Sequence, residues 1–159
     1  MSRPRKRSGT FALVAGVVAS ALLASTADPA AARDGLGVRL GLSSGPDQLV
    51  VGGQAELGPA VGSAFFTPSV DLGFGDGETS SVLDLDLRWY LLRLPETGIR
   101  FYGQAGPTLV VAPNGEIGLS LAAGADIPMR RGKRYNLEAR FGLGDVPELK
   151  IVFALLFGL

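Results

Sequence analysis

One stretch of the sequence constrains the fold more than any other. In "SSVLDLDLRWYLLR", residues 80–93, every second residue from position 83 to position 91 is large and apolar, and the residues between them include Asp84, Asp86 and Arg88. Because successive side chains of a β-strand point to opposite faces, this period of two predicts a strand with one apolar and one charged face. The fold therefore depends on which of these faces meets water.

Short turn sequences divide the chain after residue 34 into eight segments of similar length. The turn sequences are "SSGPD" at 43–47, "GPAVGS" at 58–63, "GDGE" at 75–78, "RLPETG" at 93–98, "APNG" at 112–115, "RRGK" at 130–133 and "GDVPE" at 144–148. None of the segments has a helical period, and all but the last alternate between apolar and polar residues. This pattern is typical of antiparallel strands joined by hairpins. We predict one all-β domain over residues 35–159.

The first residues predict export of the chain. Four basic residues within positions 3–7 precede the apolar run "TFALVAGVVASALLA", which gives way to small residues in "STADPAAARD". A basic region, an apolar region and a small-residue cleavage zone are the parts of a secretory signal peptide. The apolar run is shorter than the ~20 residues that a membrane-spanning helix needs. We predict a signal peptide over residues 1–27, with cleavage after Ala27 or after Ala32.

Composition excludes several function classes. A mature chain from Asp28 has eleven basic and fifteen acidic residues, a net charge of −4, so no basic surface for nucleic acid is expected. The sequence has no cysteine and no histidine, which removes thiol chemistry, Ser-His and Cys-His pairs and the commonest metal ligand. Asp84 and Asp86 could form half of a metal site, but a salt bridge with Arg88 and with arginines of neighbouring strands is favoured. We expect no enzyme activity, no metal and no cofactor.

Three features indicate that the charged face points into a narrow lumen. Large apolar residues share one face, whereas the other is rich in glycine, as a narrow interior requires. Lysine, common on water-exposed surfaces, is reduced to Lys133 and Lys150 after the signal peptide. Charges on the polar face nearly cancel, which favours pairing in a crowded interior. The apolar face is then expected to meet lipid.

The predicted lumen network is a set of charged and amide side chains from six of the eight segments. Its members are Arg39, Gln54, Glu56, Asp71, Asp84, Asp86, Arg88, Arg100, Gln104, Glu138 and Arg140. Pro107 lies near the middle of the fifth segment and removes a backbone donor from the ladder. We expect a β-bulge at that position.

The pattern over residues 35–159 resembles the small eight-stranded outer-membrane barrels, such as the OmpA transmembrane domain and OmpX. The closing run "KIVFALLFGL" is similar to the C-terminal targeting strand of these proteins, although the last residue is Leu159 where an aromatic residue is usual. The resemblance implies an up-and-down barrel in the outer membrane, with a periplasmic segment over residues 28–34 and periplasmic turns near 60, 95 and 131. An aromatic girdle should face lipid at that side, formed by Phe66, Trp89, Phe101, Tyr135 and Phe157.

The resemblance also implies three partners: outer-membrane lipid, the barrel-assembly machinery and periplasmic chaperones. The barrel itself is expected to be a monomer. The functional expectation is a structural or interaction protein whose lumen is plugged. Two alternatives remain open. One is a narrow pore for water, ions or small solutes; the other is a soluble periplasmic barrel that binds lipid in an apolar lumen, which the mixed last segment, with Val152, Ala154 and Leu156 on its second face, supports.

Overall fold

The computed structural model describes residues 35–75, 77–112 and 115–158. The predicted signal peptide over residues 1–27, its cleavage site and the segment 28–34 lie outside this range. Eight strands account for most of the described chain. They are β1 Gly35–Ser44, β2 Gln48–Val61, β3 Ala64–Gly75, β4 Glu78–Arg93, β5 Arg100–Ala112, β6 Glu116–Pro128, β7 Lys133–Gly144 and β8 Leu149–Gly158, with a 3₁₀ turn at Arg130–Gly132 before β7.

The strands form one closed antiparallel barrel in which each strand pairs with its neighbours in sequence and β1 pairs with β8. The closing ladder runs from Gly35 opposite Gly158 to Ser44 opposite Leu149. The predicted eight-stranded, up-and-down antiparallel barrel is confirmed. Closure leaves no sheet edge unpaired, so the backbone groups of the strands are satisfied without water.

The barrel has two distinct ends. We call one end the terminal end, because β1 begins and β8 ends there. The connections from β2 to β3, from β4 to β5 and from β6 to β7 also lie at this end. At the loop end, the other four connections join the strands. In the described part of the chain, no helix is long and apolar enough to cross a membrane.

The two faces of the sheet differ in polarity as the alternation predicts. Large apolar side chains are exposed on the outer face; Leu121 is 52% exposed and Ile117 is 71% exposed. The carboxylates of Asp84 and Asp86 on the inner face are fully buried. β8 departs from this rule, because Val152, Ala154 and Leu156 are completely buried on its inner face. The barrel is thus apolar outside and mostly polar inside.

The prediction of a β-bulge at Pro107 is wrong. The β4–β5 ladder has the same register on both sides of this residue, with Asp84 opposite Thr108 and Leu87 opposite Ala105, and the β5–β6 ladder continues through it. Since proline lacks one donor, it interrupts pairing with one neighbouring strand only and needs no extra residue. The register shifts of this ladder lie instead near its two ends, between residues 81 and 82 and between residues 90 and 92 of β4.

An arginine on the outer face tests this facing. We expect Leu121→Arg, near the middle of β6, to lower the free energy of unfolding from lipid bilayers by about 2–4 kcal/mol, because a charge there would lie at the bilayer midplane. Ile117→Arg, on the same face near the end of the strand, should cost only about 0–1 kcal/mol. Urea titration of vesicle-folded protein measures both. Equal, near-zero costs would show that the outer face meets water.

Candidate functional site

The lumen is filled by buried ion pairs. Within the described residues, six cations pair with six carboxylates, and ten of these twelve side chains are at most 3% exposed. The cations are Arg39, Arg88, Arg100, Arg134, Arg140 and Lys150; the carboxylates are Glu56, Asp71, Asp84, Asp86, Asp126 and Glu138. Buried charges are tolerated when they are paired and hydrogen-bonded, and this set balances to zero.

Arg140 on β7 is the hub of a central cluster. Its guanidinium lies 2.6 Å from Asp86, 3.0 Å from Glu138 and 3.2 Å from Asp84. The same group donates a 2.8 Å hydrogen bond to the hydroxyl of Ser120. Asp84 and Asp86 belong to β4, so a single side chain reaches across the barrel and joins its two sides. Charge-assisted hydrogen bonds of this length are among the strongest that proteins form.

Two further cations complete the central cluster. The Nζ of Lys150 lies 3.0 Å from Asp71 and 3.1 Å from Asp84. Arg39 lies 3.4 Å from Glu138 and 3.5 Å from Asp71. The Arg39–Asp71 contact is an ion pair without hydrogen-bond geometry, since neither Arg39 Nε nor Asp71 Oδ1 has a hydrogen-bond partner among the described residues. Each carboxylate of this cluster except Asp86 therefore contacts at least two cations.

A terminal cluster fills the lumen toward the terminal end. Arg134 bridges Asp126 at 2.8 Å and Glu56 at 3.1 Å. Arg88 lies 3.2 Å from Glu56, and Arg100 lies 3.1 Å from Asp126. Arg100 and Arg134 are the only side chains of the paired set with appreciable exposure, 19% and 14%. Water therefore reaches the ion pairs from this end.

Aromatic and amide side chains join the two clusters. The hydroxyl of Tyr102 donates to Glu138 over 2.9 Å, and the guanidinium of Arg88 lies 3.9 Å from the centre of the Tyr102 ring. Gln104 accepts a 2.8 Å hydrogen bond from Arg88 and donates to Asp86 over 3.1 Å. Such interlinked hydrogen bonds strengthen one another in a region of low dielectric constant. The polar lumen is one continuous network.

Valine side chains close the loop end of the lumen. Val82, Val110 and Val146 form a buried apolar cluster, which we call the valine plug; none is more than 7% exposed. Val146 comes from the connection between β7 and β8, and its side chain packs inward against Gly118 and Gly142, where an added Cβ would lie 2.7 Å and 2.6 Å from it. Closer to the loop end than the plug, the hydroxyl of Ser80 donates a 2.5 Å hydrogen bond to the amide oxygen of Gln48. The polar network is thus covered by an apolar layer at one end.

Glycines make the room that the large inner side chains need. A Cβ added at Gly106 would lie 2.8 Å from the carboxylate of Asp86, and one added at Gly124 would collide with the Tyr102 ring. Each of these polar side chains therefore lies against the bare backbone of a neighbouring strand. Glycine in a strand often marks such a close approach.

The structure places all eleven predicted lumen residues on the inner face. Ten are buried, and Arg100 is half-buried at the terminal end. The expected partners of Asp84 and Asp86 were wrong on both counts. Their cations are Arg140 of β7 and Lys150 of β8, neither on a strand that neighbours β4, whereas Arg88 pairs with Glu56, Asp126 and Glu138. The described residues contain no group of acidic side chains with the arrangement of a metal site.

Several members of the network were not among the predicted site residues. They are Tyr90, Tyr102, Asp126, Arg134, Asn136 and Lys150. The alternation carried the signal for most of them; Tyr90 follows Arg88 by two positions and so shares its face. The sequence carried no such signal for Val146 of the valine plug. This residue lies in a turn, where periodicity does not indicate which way a side chain points.

The five predicted girdle residues all lie near the terminal end on the outer face. Trp89, Phe101 and Phe157 are exposed, and Phe66 and Tyr135 are half-exposed. The ring of Tyr135 also contacts that of Phe153 on the neighbouring strand, with a centroid distance of 5.2 Å.

Removal of the hub should destabilise the barrel. We expect Arg140→Ala to lower the free energy of unfolding by about 3–5 kcal/mol, because it leaves buried carboxylates uncompensated. Asp86 loses most, since Arg140 is its only salt-bridge partner in the described ranges. The double variant Arg140→Ala/Asp86→Asn should regain part of the loss in urea titrations. A single variant as stable as the wild type would contradict a stabilising role for the hub.

Comparison with known proteins identifies structures of similar fold but no family. No protein-family model matches the sequence, and no curated protein is similar to it. The crystal structure of the N-terminal β-barrel domain of Pseudomonas aeruginosa OprF matches with a TM-score of 0.59 and 12% identity, covering 79% of this chain and 96% of that chain.

Two designed proteins match equally well. A chain from the de novo design of transmembrane β-barrels gives a TM-score of 0.58 and 16% identity, covering 79% of this chain and 94% of its own length. The solution NMR structure of the designed barrel TMB2.3 gives 0.58 and 11%, covering 83% and 98%. At these identities the likeness concerns the fold alone. The chain folds as a closed eight-stranded barrel similar to natural and designed transmembrane barrels.

Proposed function

We propose that this protein is an exported outer-membrane barrel with a plugged lumen, acting as a structural or interaction protein of that membrane. The observation that carries the proposal is the continuous network of buried ion pairs that fills the lumen. Eight strands enclose an interior just wide enough for side chains. Here that interior holds long, paired side chains from both sides of the barrel, which supports a lumen that is closed to solutes.

The exposed outer face supports the membrane location. Leu119, Leu121 and Leu143 are each more than half exposed, and they lie on adjacent strands of the same face. A soluble protein rarely exposes a continuous apolar surface of this kind. Charged residues inside and apolar residues outside are the arrangement expected for a barrel surrounded by lipid. The resemblance to outer-membrane barrels supports the barrel-assembly machinery and periplasmic chaperones as partners in its insertion.

A catalytic role finds little support in the residues of the lumen. The sequence has no histidine and no cysteine, so neither a Ser-His nor a Cys-His catalytic pair can form. The carboxylates that remain inside are held by arginine or lysine. We therefore propose a protein that is not an enzyme.

The alternative of a lipid-binding barrel with an apolar lumen does not fit the structure. Apolar side chains on the inner face are confined to the valine plug, a few neighbours and the inner face of β8, and the rest of the interior is charged or polar. A lipid chain would have to displace paired charges, which costs several kcal/mol for each ion left unpaired. The narrow pore is the second candidate function, and the planar bilayer recording described below distinguishes it from a plugged barrel.

Cell fractionation tests the location. Expressed in a Gram-negative host, the full chain should sediment with outer membranes and resist extraction by carbonate and urea. Unboiled samples should migrate as a compact species in detergent gels, because a closed barrel keeps its hydrogen bonds in detergent. Recovery as a soluble monomer from the periplasm would contradict the proposal.

Planar bilayer recording tests the plugged lumen. We expect the purified wild-type protein to show no steady single-channel conductance, because the ion pairs occupy the cross-section. The variant Arg140→Ala should show brief openings, since it loses the side chain that crosses the lumen. Steady and reproducible wild-type conductance would replace the plugged barrel with the narrow pore.

A further inference from the structure

Charges outside the lumen are separated between the two ends of the barrel. The loop end has an acidic rim and, among the described residues, no arginine or lysine outside the lumen. In the same described ranges, the terminal end has four cations outside the lumen and one carboxylate outside it, that of Glu96. The acidic rim comprises Asp47, Glu78, Asp145 and Glu148, and the cations, which we call the basic rim, are Arg93, Arg130, Arg131 and Lys133.

The basic rim borders the apolar outer face. Arg93 is exposed and ends β4, directly after Leu91 and Leu92, which are 73% and 56% exposed. Lys133 opens β7, and its Nζ lies 5.3 Å from the centre of the exposed Phe157 ring. Long cationic side chains in such places lay their apolar stems along the hydrophobic surface and keep the charge at the interface. These charges therefore lie where lipid headgroups would surround the barrel.

The turn between β6 and β7 presents two more cations. Arg130 and Arg131 are exposed, and Arg131 has a φ of 64°, in the left-handed region that residues other than glycine and asparagine rarely adopt. All four cations of the basic rim are exposed. In the described part of the chain, no salt bridge uses any of the four, although every arginine and lysine of the lumen is paired. Their charge remains available to an external partner.

We propose that the basic rim binds the phosphate groups of anionic phospholipids in the leaflet that surrounds the terminal end. This inference rests on the proposed membrane location. Basic residues beside a membrane attract anionic lipids through their headgroups, with an effect that salt screens. A lipid is favoured over an acidic soluble protein because Lys133 lies against the exposed Phe157 ring and Arg93 follows exposed leucines, so lipid headgroups would be the nearest anions outside the protein.

The single tryptophan of the sequence provides the probe. Trp89 is exposed on the outer face of β4, four residues before Arg93. Its fluorescence is measured for protein folded into phosphatidylcholine vesicles that contain brominated phosphatidylglycerol or brominated phosphatidylcholine. The ratio of quenching gives the relative affinity for the two lipids. We expect about a two- to fivefold preference for phosphatidylglycerol at low salt, falling toward one in 1 M NaCl.

Two exposed residues near the probe give opposite controls. Arg93→Gln should reduce the preference, whereas Glu96→Gln, at the same rim, should increase it. Glu78→Gln, which removes one charge from the other end of the same strand, should leave the preference unchanged. Each variant is first checked for the compact species in unboiled gels, so that lipid selectivity is compared only between folded barrels.

A second reporter examines the other half of the basic rim. In the variant Trp89→Phe/Tyr135→Trp, the new tryptophan lies on the outer face of β7, two residues after Lys133. Its preference for phosphatidylglycerol should fall when Arg130 and Arg131 are both replaced by glutamine.

Equal quenching by the two brominated lipids at low salt, unchanged by Arg93→Gln and by the double glutamine variant, would overturn lipid binding by the rim while leaving the membrane location intact. Absence of quenching by either lipid would show that the outer face is not in the bilayer. That result would overturn the proposed location, and this inference with it.

Discussion

Charge neutrality in a narrow lumen is the constraint on which the rest of this structure depends. Eight strands leave room for side chains but not for bulk water, so each buried charge must find its partner inside the barrel. The six cations and six carboxylates meet this requirement by pairing with one another. Arg140 alone pairs with three carboxylates. Size and neutrality act together: glycines such as Gly106 let a carboxylate lie against the neighbouring backbone, which keeps the ion pairs at contact distance.

The surroundings of the network change along the barrel axis. At the loop end the valine plug covers the central cluster, and a low dielectric constant strengthens both the attraction between paired charges and the penalty for an unpaired one. At the terminal end the side chains of Arg100 and Arg134 are partly exposed, so water can solvate a charge there. Loss of an ion pair should therefore be costliest near Asp86 and mildest near Asp126. Among the ion pairs of the described residues, those at the terminal end are therefore the ones with the greater access to water.

The strands, and the face on which each side chain lies, could be predicted because alternation with a period of two is visible within a few consecutive residues. The partners of each charge could not. Arg88 is two residues from Asp86, but Arg140, on the far side of the barrel, holds Asp86 at 2.6 Å. That contact depends on how the strands are staggered around the closed sheet, which local alternation does not determine. Pro107 shows the same limit: the missing donor was visible in the sequence, but whether it requires a bulge depends on which neighbour the donor would have served.

The network also explains why no strand shifts its register by one residue, which would turn its inner side chains outward. Replacing a buried ion pair by apolar residues is often neutral or stabilising, so energy alone does not account for twelve charges in one interior. In a barrel with an apolar lumen, both faces of each strand would be apolar, and a shift of one residue in register would cost little. Here the same shift would expose Asp84 and Asp86 on the outer face and bury Leu83 and Leu85 among charges. β8 is the exception, with Val152, Ala154 and Leu156 buried inside, and its register is set by both neighbours at once through the ladders with β1 and β7. The buried charges therefore serve the uniqueness of the fold, since only one facing of the sheet satisfies them.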